Sequence, residues 1–267
     1  MKKIIPEIIL MKRSTLVIAT LTACVCIGAT AWASPVSLGT ADSFAVLGGS
    51  TVTNTGPTSI FGNLGVSPGT SITGFPPGIV TGGTIHFNDA TAIQAQADAL
   101  SAYNTIAGLS FTLDLTGNDL GGLTLTPGIY HFDSAAQLTG ALTLDGLGLI
   151  NPQFIFQIGS TFTTASASSV VAINGADASD VFFQVGSSTT LGTDTVFAGN
   201  IIASANDTLT TGASVDGRVF ALNGAVTLDT NTISAVPEPS GVILLGFTAT
   251  LSLLRRKRGC QKWSVKN

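Results

Sequence analysis

The chain has 267 residues, of which 31 are Gly and only 10% are charged, with a formal net charge of −4. Ten of the eleven basic residues lie outside residues 34–236, and that middle segment sets thirteen Asp and no Glu against the single Arg218, a formal charge of −12. Such a segment excludes nucleic acid as a partner, because phosphate neutralisation needs a basic face. Its wealth of Gly, Thr and Ser points to a stacked β architecture.

The amino-terminal end reads as a leader. Met11-Lys12-Arg13, the apolar run Leu16–Thr30 and Ala31-Trp32-Ala33 supply the charged region, hydrophobic region and small-x-small site of a secretory signal peptide spanning 1–33. Met11 is the better start, and cleavage is expected after Ala33. The apolar run falls short of the ~20 residues a membrane span needs.

From Leu38 to Phe87, short β-like runs alternate with turn signals: Phe44–Leu47 stops at Gly48-Gly49, and Ser59–Phe61 at Gly62-Asn63. A single helix is predicted next, over about 89–108. Asn88 or Asp89 caps it and Gly108 stops it. Ile93, Ala97, Leu100, Asn104 and Ala107 recur at helical spacing, and this Ala-rich face is expected to lie along the side of a sheet.

Internal repetition dominates the segment Phe154–Ser234. Phe154–Ser160 is echoed 27 residues later by Val181–Ser187, and apolar runs begin again at Asn200 and Arg218, 19 and 18 residues further on. A period near 20 with three short apolar segments, each closed by Gly, Asn, Asp or Ser, is the pattern of a three-sided β-solenoid. The first side, with Phe154–Ile158, Val181–Val185, Asn200–Ala203 and Val219–Leu222, is nearly all apolar, as for strands buried on both surfaces, and should lie under the helix. The second side alternates apolar residues facing in with threonines facing out. The third carries Asn174, Thr195, Ser214 and Thr232, but also Asp194 and Asp216.

At the carboxy-terminal end, Val236-Pro237-Glu238-Pro239-Ser240 precedes the apolar run Gly241–Leu254 and the basic cluster Arg255–Arg258, leaving a tail at 259–267. This order resembles the sorting signal handled by exosortase-type enzymes of Gram-negative bacteria, with sorting motif Pro237, Glu238 and Pro239. The resemblance implies a transient inner-membrane anchor held by a positive-inside cluster, then cleavage and delivery to the surface or extracellular matrix. Cys24, Cys26 and Cys260 all fall in the two end segments, so the mature chain is expected to hold no disulfide or thiolate metal site.

Pro68-Gly69-Thr70, Ile72–Gly78, the Ala-rich helix, Thr126–Tyr130, Phe156–Ser160, Phe183–Ser187, and Gly217-Arg218 before Ala225–Leu228 together resemble the microbial ice-binding protein family over about Leu38–Ser234. The resemblance implies a mainly β fold at 34–235: a three-sided discontinuous β-solenoid (β-helix) with one long α-helix packed along one side. It also implies ice as the partner, without a cofactor. A flat Thr-rich face can hold ordered water through many weak contacts, since β-branched side chains have few rotamers to lose. The candidates for that face are Thr161, Thr163, Thr190, Thr208, Thr210 and Thr227 of the second side.

Two other readings use the same residues. A matrix or adhesion protein on this scaffold would bind exopolysaccharide and not ice. A β-helix enzyme acting on polysaccharide would need clustered carboxylates or bases. Yet Asp145, Asp177, Asp194 and Asp229 sit where turn chemistry explains them, and no calcium-loop pattern is present. His86 and His131 have no Cys or Glu near them and read as structural. Arg218 is expected to pair with Asp216 or a carbonyl. No catalytic or metal site is therefore expected.

Overall fold

The computed structural model describes residues 36–235. The predicted leader and the sorting segment lie outside the described residues. Every strand pairing is parallel, and the strands form three sides around one apolar interior. The second side is a sheet of its own, ordered Ala136–Leu138, Phe162–Thr164, Thr189–Leu191, Asp207–Leu209, Val226–Asp229, Thr51–Thr55 and Ser71–Thr73.

That order shows the discontinuity, because the amino-terminal coils stack on the carboxy-terminal one. On the first side the same jump occurs: Phe44–Gly48 pairs with Ser214–Ala221 on one edge and Asn63–Val66 on the other. Strand Ile85–Phe87 ends the stack, and Leu113–Asp114 begins its other end. The helix Ala90–Ala107 is the return link between them. Its 18 residues reach about 27 Å, while eight strand steps on the first side span roughly 38 Å. The extended pieces on either side of the helix make up the difference. Asp89 caps the helix start through its side chain, and Gly108 closes its end, as the sequence suggests.

Two long strands, Val196–Ala203 and Ser214–Ala221, each serve two sides, turning from third to first at Gly199 and Gly217. Both glycines have positive φ, +138° and +136°. A Cβ on Gly217 would stand 2.0 Å from the Gly199 carbonyl oxygen, so coils stack here only through glycine. The described chain ends on this same corner. Ser234 is level with Asp216, and the Ala235 N–H donates to the Phe61 carbonyl at 3.0 Å. The described chain begins at Val36, buried with the residues beneath the helix.

Inside, large residues at equal positions of successive coils stack on one another. Tyr130, Phe156 and Phe183 lie 5.3 and 4.3 Å apart between ring centroids, and Phe162 and Phe197 reach Phe183 from the other walls at 5.1 and 4.9 Å. The core is thus filled by offset aromatic stacking as well as by area burial.

The first side lies under the helix, but by a different helix face from the one expected. Ala92, Ala95, Ala99, Ala102 and Ile106 are buried, whereas Ile93 and Leu100 are about half exposed, at 52% and 48%. The reason is packing. The sheet already sends Ile155, Phe182, Ile202 and Phe220 towards the helix, so only small side chains let the helix approach. Polar ends are tied down as well. The Gln157 Nε2 amide donates to the carbonyls of Ile106 and Leu109 at 2.7 and 2.8 Å, satisfying the helix end.

Arg218 pairs with Asp42 and not with Asp216. Its guanidinium, 1% exposed, donates to the Asp42 carboxylate, to the Asp42 carbonyl at 2.9 Å and to Asn200 Oδ1 at 3.0 Å. This pins the 3-10 turn Gly39–Ser43 over the first side, next to the helix. Asp216 points outward from the third side, because the strand turns onto the first side at Gly217, between Asp216 and Arg218.

Replacing Ala99 by Leu should therefore force the helix off the sheet and cost about 1–3 kcal/mol. Leu100→Ser should stay within about 0.5 kcal/mol of the wild type. Denaturant unfolding of the two variants checks the assignment of the helix face.

Candidate functional site

The outward positions of the second side form one unbroken file. Paired strands place Gln137 beside Thr163, Thr163 beside Thr190, Thr190 beside Thr208, Thr208 beside Thr227, Thr227 beside Thr53, and Thr53 beside Thr73. Six threonines thus follow one another at the parallel strand spacing of about 4.8 Å. All six are half-buried or exposed, and no charged residue interrupts them.

Of the six sequence candidates, Thr163, Thr190, Thr208 and Thr227 stand in the file. Thr161 stands just before strand Phe162–Thr164 and flanks it. The corresponding residues of the next coils are small, and their carbonyls continue the ladder: Ser188 accepts from Phe162, Asn206 from Thr189 and Ala225 from Asp207. Thr210 is drawn into the corner, where its hydroxyl donates to the Leu191 carbonyl at 2.8 Å. Sequence reasoning missed Thr53 and Thr73. Their local pattern, Thr51-Val52-Thr53 and Ser71-Ile72-Thr73, has the right alternation, but nothing local says that these strands extend the carboxy-terminal stack.

At the Gln137 end the file meets a shallow hollow of about 220 Å³ lined by Gly117, Asn118, Ala135, Gln137, Thr161 and Thr163. Asp119 closes that end. Burial pushes its carboxyl up, but the N–H groups of Gly121 and Thr139 outweigh this and hold it below the ordinary value.

The third side is a rougher surface. Val196 and Ile79 are 58% and 60% exposed, and Val171, Ile173 and Phe61 also face out. The column that contains Val196 continues through Ser214, Thr232 and Ser59, and the next one carries Asp216 between Ala198 and Ser234. Thr195 does not belong to this surface. It is fully buried, with its hydroxyl 2.8 Å from that of Thr164, because the corner at Gly192–Thr195 turns it inward. Asn174 sits at a turn with φ +52° and donates to Asp145.

Both histidines serve local structure. His86 Nδ1 is 2.7 Å from Asp89, which also takes the Ala92 N–H at the helix start; these two bonds, the backbone one first, hold Asp89 below the ordinary carboxylate range. His131 lies 2.8 Å from Asp133 and stacks on Phe111 at 4.7 Å. Among the described residues no group of three His, Cys, Asp or Glu side chains could hold a metal ion.

A family model described as ice-binding-like matches residues 46–234. An ice-binding protein of Nostoc sp. (strain HG1) is 57% identical over 245 residues, which cover 86% of this chain and 90% of that protein. One from Colwellia sp. is 33% identical over 217 residues, covering 76% and 85%. Among solved structures, the ice-binding protein of the Antarctic ascomycete Antarctomyces psychrotrophicus superposes with a TM-score of 0.73 at 45% identity, over 75% of this chain and 98% of that one.

The contrast between Thr195 and Thr208 is measurable before any activity is assayed. Thr195→Tyr must insert a ring into the filled interior and should cost about 1–3 kcal/mol or more. Thr208→Tyr should change stability by no more than about 0.5 kcal/mol. Melting temperatures of the two variants check their placement.

Proposed function

The chain belongs to the ice-binding-like family, and from that premise we propose that it meets ice through the second side, with Thr163, Thr190, Thr208, Thr227, Thr53 and Thr73 as the contact file. The family is one of ice-binding proteins and not of enzymes. The observation that carries the choice of side is the in-register run of threonines across six neighbouring strands.

Each threonine presents a hydroxyl and a methyl at a repeating distance. The hydroxyls can hydrogen-bond water held in an ice-like array, and the methyls exclude water that does not fit. β-Branched side chains in strands are already confined in χ1, so little rotamer entropy is lost on contact. Each contact is weak, and affinity comes from the number made at once by a rigid surface. The other sides suit this less well. The first is covered by the helix, and the third mixes protruding aliphatics with Asp216.

Thr208→Tyr, in the middle of the file, should lower thermal hysteresis severalfold. Thr53→Tyr should do the same, because the amino-terminal coils carry the same surface. Val196→Tyr on the third side should leave hysteresis unchanged. The opposite pattern, loss at Val196 and retention at Thr208 and Thr53, would move the contact to the third side.

We further propose that the protein works outside the inner membrane. The support is in the sequence: the leader pattern before Ser34 and the Pro237-Glu238-Pro239 motif with its apolar run and basic cluster. An exosortase-type enzyme would then process the tail and release the solenoid to the surface or matrix, where exopolysaccharide is a neighbour. Among the described residues no helix is long and apolar enough to cross a membrane. Intact mass of the exported form should show a start at Ser34 and loss of Arg255–Arg258; full-length protein confined to the inner membrane would overturn this route.

A further inference from the structure

Behind the middle of the Thr file lies a carboxyl group that the surface chemistry does not use. Asp207 occupies an inward position of the second side, in register with Thr189 on one neighbouring strand and Val226 on the other. Its side chain is wholly buried. Both carboxyl oxygens and the Thr189 hydroxyl are shut off from water, and none of the three has a hydrogen-bond partner. The next residues along the two strands, Thr190 and Thr208, are the centre of the outward file.

A carboxylate in such a place would lack the donors it needs, since buried charge is tolerated only when paired. The Thr189 hydroxyl lies on the side that favours the charged form, but it makes no hydrogen bond to the carboxyl and burial outweighs it. The other inward apolar residues are Leu209 of the same strand and Leu191, Val226 and Leu228 of the flanking ones. Tyr130 is the titratable member of the hydrophobic interior, and its phenol donates to the Thr126 carbonyl. Asp194 and Asp229, at the ends of adjoining strands, are at the surface, where Asp229 accepts from Thr211. Desolvation therefore dominates and pushes the Asp207 carboxyl well above its usual range.

We propose that Asp207 is a proton-controlled positioning residue for the Thr file: the neutral acid lets the central strands close flat, and loss of its proton opens them and dismantles the ice-contact surface. This rests on the second side being that surface. The sign follows from linkage. The folded chain keeps a proton that the unfolded chain gives up at about pH 4. Stability is therefore full below that pH and falls as pH rises towards the folded value. Asp216 contributes a similar trend, its carboxyl raised by burial and then by Asp177, but it faces out on the third side. A substitution at Asp207 separates the two.

The test compares wild type, Asp207→Asn and Asp207→Val by thermal unfolding and thermal hysteresis between pH 5 and 10. The Asn variant keeps the shape and cannot ionise. The Val variant matches neighbouring Val226 and serves if a buried amide proves unable to fold. Wild-type melting temperature should fall steadily with pH, and its hysteresis should drop severalfold over the same interval. In the variants the fall in melting temperature should shrink to the part that Asp216 contributes, and hysteresis should stay nearly flat. Parallel melting curves in wild type and variants would overturn the proposal, as would a wild type that destabilises with pH at constant hysteresis. Were hysteresis absent from all three proteins at every pH, the ice-contact reading itself would fail, while the difference in melting slopes would still report on the buried proton.

Discussion

Parallel register is the constraint on which the rest of this molecule depends. Once Phe156 is level with Phe183, and Gln157 with Gln184, every residue of one coil must lie over its counterpart in the next. A choice made at one position is repeated at the strand spacing along the whole stack. Inward positions become aromatic and aliphatic columns, and outward positions become rows of one chemistry. The Thr file follows from this as directly as the phenylalanine stack does. Neither could form if one strand slipped by a residue, because the slip would exchange the inside for the outside.

The same constraint makes the corners exacting. Strands of adjacent coils approach so closely where sides meet that a side chain pointing into the bend collides with backbone, as the Gly199–Gly217 contact shows. At the second corner, Thr164 and Thr195 solve the problem differently, with buried hydroxyls that bond each other across coils. Arg218 is a third solution. It places a charge under the helix edge and ties it to Asp42, 176 residues away in the chain, so the first described turn is fastened to the carboxy-terminal coils.

What could be read from the sequence was whatever repeats. The period in Phe154–Ser234 fixes the three sides, identifies the covered one and picks out Thr163, Thr190, Thr208 and Thr227 by alternation alone. What could not be read was anything set by a neighbour distant in sequence. Thr53 and Thr73 join the file because the helix carries the chain back to the far end of the stack, and no local pattern encodes that return. The buried helix face is not the one with the better hydrophobic spacing, that of Ile93 and Leu100, because the facing sheet already supplies the bulk. Thr195 looks like an outward strand residue until the corner geometry turns it in. Asp207 carries no local mark of its place, and only the stacking of coils shows that it points into the core.

The position of Ala235 has a mechanical consequence. A triangular prism has one edge opposite each side, and the edge where Gly62, Gly217 and Ala235 meet is the one opposite the threonines. The described residues also begin on that half, at Val36 beneath the helix. Both ends of the described chain therefore lie away from the side that carries the Thr file. The side that carries the threonines is left clear of both described ends, so its six strands present one uninterrupted surface.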